Sequence, residues 1–176
     1  MRFRFWFVCL VGLLIGLEGC NRLCNNVECN DPNGACVDGA CVCKLGFEGD
    51  DCSVVSADKF LGSYTVNAGC SSASYFSTIV ATEDGDGNVV NGFVEIHNFG
   101  NTQCPSSGEI RVLARVASDS IYIDPEPYCV EGGFGGFTFS SASGVISGNN
   151  LTMTYTREYT QQGNLVTETC TDVFQK

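Results

Sequence analysis

Glu95 and His97 stand two residues apart in the alternating stretch Phe93-Val94-Glu95-Ile96-His97-Asn98-Phe99, and His97 is the only histidine of the chain. On a strand, residues two apart project from the same face. If that face, with Phe93 and Phe99, lined an apolar interior, Glu95 and His97 would form an acid/base pair or a polar ligand anchor. If Val94 and Ile96 face inward instead, both are ordinary surface groups. Asp84, Asp86 and Asn88, with Glu95 eleven residues after Asp84, mimic the spacing of a calcium loop. That loop needs glycine at its sixth position for a sharp turn, and Val89 stands there, so a hairpin turn accounts for the pattern better than a metal site. No Gly-x-Ser-x-Gly elbow, phosphate-cradling glycine loop or His-Glu-x-x-His pair occurs. With one histidine and no spare thiol, hydrolytic and zinc chemistry lose their usual residues. The expected function is non-enzymatic, with no metal and no cofactor.

The twelve cysteines carry the rest of the chemistry. Arg2 and Arg4 precede an uncharged, mostly apolar run from Phe5 to Leu17, shorter than the roughly 20 residues of a membrane-spanning helix. Residues 1–19 therefore read as an export signal, which takes Cys9 with it. The signal ends Leu17-Glu18-Gly19-Cys20, which resembles the lipobox of bacterial lipoproteins. The resemblance implies lipid attachment at Cys20, residues 20–23 as the lipidated N terminus, and the outer membrane of a Gram-negative bacterium as the location. A secreted protein is the alternative. Parity supports the lipidated cysteine: without Cys9 and Cys20 ten cysteines remain, and ten can all pair in an oxidising compartment, whereas eleven cannot. One acyl chain anchors a protein only marginally, so a diacylglyceryl thioether together with an acylated amine would hold it without a transmembrane helix.

From Cys24 to Cys52 the spacing is C-x4-C-x6-C-x4-C-x-C-x8-C, through Cys29, Cys36, Cys41 and Cys43. Six cysteines allow 15 connectivities. Fewer than about 40 residues cannot bury enough surface to fold without staples or metal, and Asp31-Pro32-Asn33-Gly34 and Asp38-Gly39 supply turn chemistry. The segment 24–52, with Cys41-Val42-Cys43-Lys44-Leu45-Gly46-Phe47 and Gly49 before Cys52, resembles the EGF-like family. That resemblance implies the pairs Cys24–Cys36, Cys29–Cys41 and Cys43–Cys52. Asn21-Arg22-Leu23 places a positive charge where the family's calcium subclass holds its cation, so a stapled stalk is the expected role.

After a short linker, 53–57, apolar residues alternate with Ser and Thr and no helical period is sustained. Strands are expected near 60–69, 75–83, 88–98, 109–117, 120–124, 136–147, 151–160 and 164–174. Leu151, Met153, Tyr155 and Tyr159 share one face, interrupted by Arg157, and Thr152, Thr154, Thr156 and Glu158 share the other, the period of a half-buried strand. Hairpin turns are expected at 84–88, 148–150 and 162–164. The fold class is all-β: over 58–176, eight strands with short connections suggest an antiparallel up-and-down barrel, which leaves no exposed edge. A β-sandwich is the rival. The segment from Lys59-Phe60-Leu61-Gly62-Ser63-Tyr64 to Cys170-Thr171-Asp172-Val173-Phe174 resembles the lipocalin-like domains of Gram-negative lipoproteins. In such a barrel the first and last strands are neighbours, which pairs Cys70 with Cys170 and leaves Cys104 for Cys129, one of three connectivities.

A net charge of −11 argues against nucleic acid, whose phosphates need a basic face, and against a polybasic lipid-binding patch. The chain from Cys20 onward has 7 basic and 19 acidic residues, hence −12. The expected function is therefore that of a membrane-anchored lipoprotein. Its stalk presents a β-barrel head that binds a small ligand or protein partner. The alternatives are a secreted structural or adhesive protein with a filled barrel, and an enzyme using Glu95 and His97.

Overall fold

Asp38 and Gly39 both take positive φ, 52° and 86°, the mirror-image two-residue turn whose twist suits a hairpin. They join Gly34–Val37 to Ala40–Cys43 in register from Gly34↔Cys43 to Val37↔Ala40. In this computed structural model residues 23–71, 73–101, 103–104, 108–128 and 137–176 are described, and the chain divides at Val54/Val55 into two compact units. Residues 1–19, Cys20 and Cys129 lie outside the described residues. The hairpin unit is held by Cys24–Cys36, Cys29–Cys41 and Cys43–Cys52, a first-to-third, second-to-fourth, fifth-to-sixth connectivity. Gly34 sits against the last bridge so closely that a Cβ there would fall 2.5 Å from Cys52 Sγ. Cys52 is fully buried, while Leu23, Val37, Val42 and Leu45 stay exposed. With so little apolar burial the bridges supply the stability, typically about 2–4 kcal/mol each.

In the second unit eight strands are labelled β1 (Gly62–Asn67), β2 (Ser74–Glu83), β3 (Val89–His97), β4 (Arg111–Ala117), β5 (Ser120–Ile123), β6 (Phe137–Ser147), β7 (Asn150–Gln161) and β8 (Asn164–Gln175). Each pairs antiparallel with the next, and β8 returns to β1, so the sheet is a closed eight-stranded barrel and not a sandwich. All three expected hairpin turns are present. At the β7–β8 turn Gln162 and Gly163 take φ of 52° and 83°. A further short strand, Glu126–Tyr128, follows β5 and pairs with Phe137–Phe139 of β6.

The alternation read in the sequence becomes inside and outside. Leu151, Met153 and Tyr155 are buried, as are Tyr64 and Val66 of β1, Val94 and Ile96 of β3, and Val112, Ala114 and Val116 of β4. Thr152, Thr154, Thr167, Thr169 and Thr171 face out. An apolar inside and a hydroxylated outside are the reverse of a membrane-spanning barrel, whose outer band must be apolar. Two aromatic groups pack the interior. Tyr64 and Phe174 meet edge to face at 5.8 Å near buried Phe60. Phe99 packs on Phe139 at 5.0 Å and on Tyr155 at 4.9 Å. An eight-stranded barrel is just wide enough for its own side chains to fill, and these residues form one continuous core.

Two details sharpen the reading of the sequence. The 53–57 linker is not free chain throughout: Ser56–Lys59 form a 3-10 turn with Ser56 and Ala57 buried, and Ala57 and Phe60 belong to the barrel core. The small residues Ser56 and Ala57 look like linker in the sequence, but their size is what lets the turn lie against the core. Arg157, read as an interruption, has a mostly buried side chain that pairs with its cross-strand neighbour Glu168, Nε to Oε1 at 2.6 Å.

The β1–β8 ladder covers only Thr65–Asn67 against Val173–Gln175. Beyond it the chain keeps alongside β8. Gly69 N–H donates to Asp172 Oδ1 at 2.8 Å, and Cys70 is bridged to Cys170. This continuation of residues 68–70 past the ladder absorbs the offset between Cys70 at the end of its strand and Cys170 well inside its own. A Cβ on Gly69 would lie 2.2 Å from the Thr171 carbonyl oxygen, and backbone cannot yield as a side chain can. Gly69→Ala is expected to destabilise the head by about 1–3 kcal/mol. Removing the bridge with paired Cys70→Ala and Cys170→Ala changes is expected to cost about 2–4 kcal/mol while preserving the barrel. Urea unfolding followed by far-ultraviolet circular dichroism measures both losses.

Candidate functional site

Asp172 is the one fully buried carboxylate among the described residues. It lies on the inward face of β8 between Cys170 and Phe174. Its Oδ1 accepts the Gly69 N–H, and its Oδ2 accepts the phenols of Tyr75 at 2.8 Å and Tyr155 at 3.1 Å. The Tyr75 oxygen in turn accepts the Gly100 N–H at 3.1 Å. The network joins β1's continuation, β2, β7, β8 and the 3-10 turn Phe99–Asn101. Both carboxylate oxygens accept from protein donors, the satisfaction a buried charge needs, and the group serves as a structural polar core. The sequence held one signal for it: a charged residue at an inward position of a period-two strand.

Burial, and then the neighbouring Asp172 charge, push the Tyr75 and Tyr155 phenols well above the ordinary tyrosine value, and burial pushes Tyr64 up to about 12. A folded value raised above the unfolded one gives stability that is complete below the unfolded pKa of about 10 and is lost as pH rises through the folded values. In an alkaline absorbance titration these three phenols should ionise only as the head unfolds. Asp172→Asn, which leaves an amide nitrogen or a lone oxygen to meet two phenol donors, should lower stability by about 1–3 kcal/mol.

Glu95 and His97 lie on the outer wall, because Val94 and Ile96 are the inward pair on β3. Phe99 does not share their face: Asn98 takes a φ of 55° and the following 3-10 turn sends Phe99 into the core. His97 Nε2 is 2.6 Å from Glu95 Oε1, and Arg111 Nη1 is 3.6 Å from the same oxygen. Of the two readings of this stretch the strand takes the one with Val94 and Ile96 inward. The imidazole and carboxylate lie beside each other and β4 on the outer face, His97 Nε2 being buried without a well-formed hydrogen bond.

The Asp84–Asn88 segment is a hairpin turn. Asp84 Oδ1 accepts the N–H groups of Asp86 and Asn88, each at 2.9 Å, and the bonds from Asn88 hold the carboxyl below its ordinary range. Cys70, Glu168 and Cys170 place their sulfur and oxygen atoms within 4.8 Å of one another. Both sulfurs belong to the bridge, so no thiolate is offered to a metal. Cys104 lies in a short strand pair with Gly108–Glu109, and its expected partner Cys129 is outside the described residues.

A concave site opens on the outer wall instead. Strand β5 stops at Ile123 and is followed by Asp124-Pro125, where proline supplies no N–H to a ladder. Opposite, β6 carries a bulge between Phe139 and Ser141 that shifts its register against β7. Bulges bend a strand and re-aim its side chains. The result is a groove of about 440 Å³ across β4–β7, lined by Arg115, Tyr122, Asp124, Ser141, Ser143 and Thr154 among others. Arg115 Nη2 is 3.3 Å from Asp124 Oδ1, and Tyr122 is 41% exposed. None of these residues stands out in the sequence, because only strand register brings them together: Arg115↔Tyr122, Tyr122↔Ser143 and Ser143↔Thr154. No family model, curated protein or solved structure matches this chain.

Proposed function

We propose that this chain is an exported, lipid-anchored recognition protein without catalytic activity, in which an EGF-like stalk displays a lipocalin-like barrel head. The disulfides support export, since such bridges persist in oxidising compartments. The export signal and the Leu17-to-Cys20 sequence support an anchor on the outer membrane of a Gram-negative bacterium. The observation that carries the recognition reading is the division of space in the head. Its interior is occupied by its own side chains, and its groove opens on the outer wall. The ligand or protein partner therefore docks from outside, and the head works as a presented surface. The filled interior also suits a secreted structural or adhesive protein, which differs from the leading reading in having no lipid at Cys20.

Intact mass of the protein extracted from membranes discriminates the two. The expected mature chain begins at Cys20 and carries a diacylglyceryl group and an amide-linked acyl chain. Cys20→Ser should move the protein from the detergent phase to the aqueous phase on partition. A chain beginning elsewhere, or an unmodified Cys20 in the aqueous phase, would overturn the anchor and favour the secreted protein.

A further inference from the structure

The groove on β4–β7 differs chemically from the rest of the molecule. The chain as a whole carries −11, yet the charged side chains lining the groove are one Arg115 and one Asp124, paired at 3.3 Å. An anion would approach a strongly acidic molecule and meet a single guanidinium already engaged. A cation would meet that guanidinium beside the one carboxylate. A purely apolar ligand would match Ile123, Pro125 and Ala142, which also line the groove. It would, however, take water from Ser141, Ser143, Thr154 and the ion pair without replacing their hydrogen bonds, at a cost for each group left unpaired.

What the groove offers is a combination. The exposed Tyr122 ring presents an apolar face with a polar tip. Serine and threonine hydroxyls both donate and accept. The Arg115–Asp124 pair sets a planar donor fork beside an acceptor, open to solvent on one side. These groups lie in order around the wall, since Arg115, Tyr122, Ser143 and Thr154 form one transverse row with neighbouring strands about 4.8 Å apart. The row continues to Thr171 on β8, whose hydroxyl is 3.1 Å from that of Thr154. A ligand matching the row is uncharged, rich in hydroxyls that act both ways, and has a C–H face to lay on an aromatic ring. The volume lies within the usual range for small-ligand sites.

We propose that this groove binds a neutral saccharide, with Tyr122 as the stacking platform, the Arg115–Asp124 pair as the fork that orients one sugar ring, and the serine and threonine row as the track along which a longer glycan extends. The assignment rests on the outer-wall recognition reading and names its ligand class.

The test is amide-shift NMR on the full mature chain, titrated separately with maltotriose, with the trimer of N-acetylglucosamine, and with a heparin oligosaccharide. At least one neutral trisaccharide should give saturable shifts confined to β4–β7, and heparin should give none. Tyr122→Ala and Arg115→Ala should each weaken that binding by about tenfold or more, while Tyr122→Phe, which keeps the ring face, should stay close to the parent. Both side chains point outward, so the unfolding midpoints of all three variants should hold, and Tyr122→Phe serves as the folded comparison. Absence of saturable shifts with both neutral sugars, shifts that survive Tyr122→Ala and Arg115→Ala, or preferential heparin binding at β4–β7 would each overturn the saccharide assignment. Detergent-phase partition of the same sample reads the anchored-display proposal separately, so either can fail without the other.

Discussion

The seam between β1 and β8 carries three residue pairs, against twelve in the neighbouring β7–β8 ladder. A barrel exists only if that seam holds, because closure is what removes the two edges an open sheet would leave unpaired. Three pairs are a thin join, and the structure reinforces it on both sides. Asn67 Nδ2 reaches Gln175 Oε1 at 3.3 Å from one strand to the other. Past the ladder, Gly69 lies against the Thr171 backbone and donates to Asp172, and the Cys70–Cys170 bridge follows. The buried carboxylate is thus part of the closure: after Gly69 it takes its second and third partners from the sheet beyond, Tyr75 on β2 and Tyr155 on β7, and the Tyr75 oxygen accepts in turn from Gly100. One acidic side chain ties the seam to both flanking strands and to the turn carrying Phe99.

Closure in turn decides which side of the wall is open to the recognition role proposed for it. With eight strands the interior has room for side chains or one small ligand, not both, and Phe60, Tyr64, Phe99, Phe139, Tyr155 and Phe174 occupy it. The outer wall is then the surface left for specificity. It is mostly regular and hydroxylated. It becomes concave where regular pairing lapses, at Asp124-Pro125 and the β6 bulge. The irregularity that a sheet must accommodate to close also shapes the one groove described on it.

Much of this was legible in the sequence. Alternation over Leu151–Tyr155, the three turn signals and the spacing of six cysteines are local patterns, and local patterns place strands and staples well. The pairing of Cys70 with Cys170 followed from barrel closure once eight strands were counted. Glu95 and His97 were harder, because β3 is apolar on both faces: Phe93 on one, Val94 and Ile96 on the other. Period-two reading says which residues share a face but not which face is inside. The groove was beyond reach for a different reason. Arg115, Tyr122, Ser143 and Thr154 come from four strands, and only their register makes them neighbours.

The Cys70–Cys170 bridge spans 100 residues of sequence and has a mechanical meaning. It makes residues 70 to 170 a covalent ring, with all of β2–β7 inside it. Tension applied between the chain ahead of Val55 and the residues after Cys170 enters at β1 and passes through the bridge into β8, bypassing the ladders that form the groove. The length that tension can draw out is confined to the short segments before Cys70 and after Cys170. Under such end-to-end tension the strands of the ring, β2 to β7, lie outside the loaded path and keep their pairing.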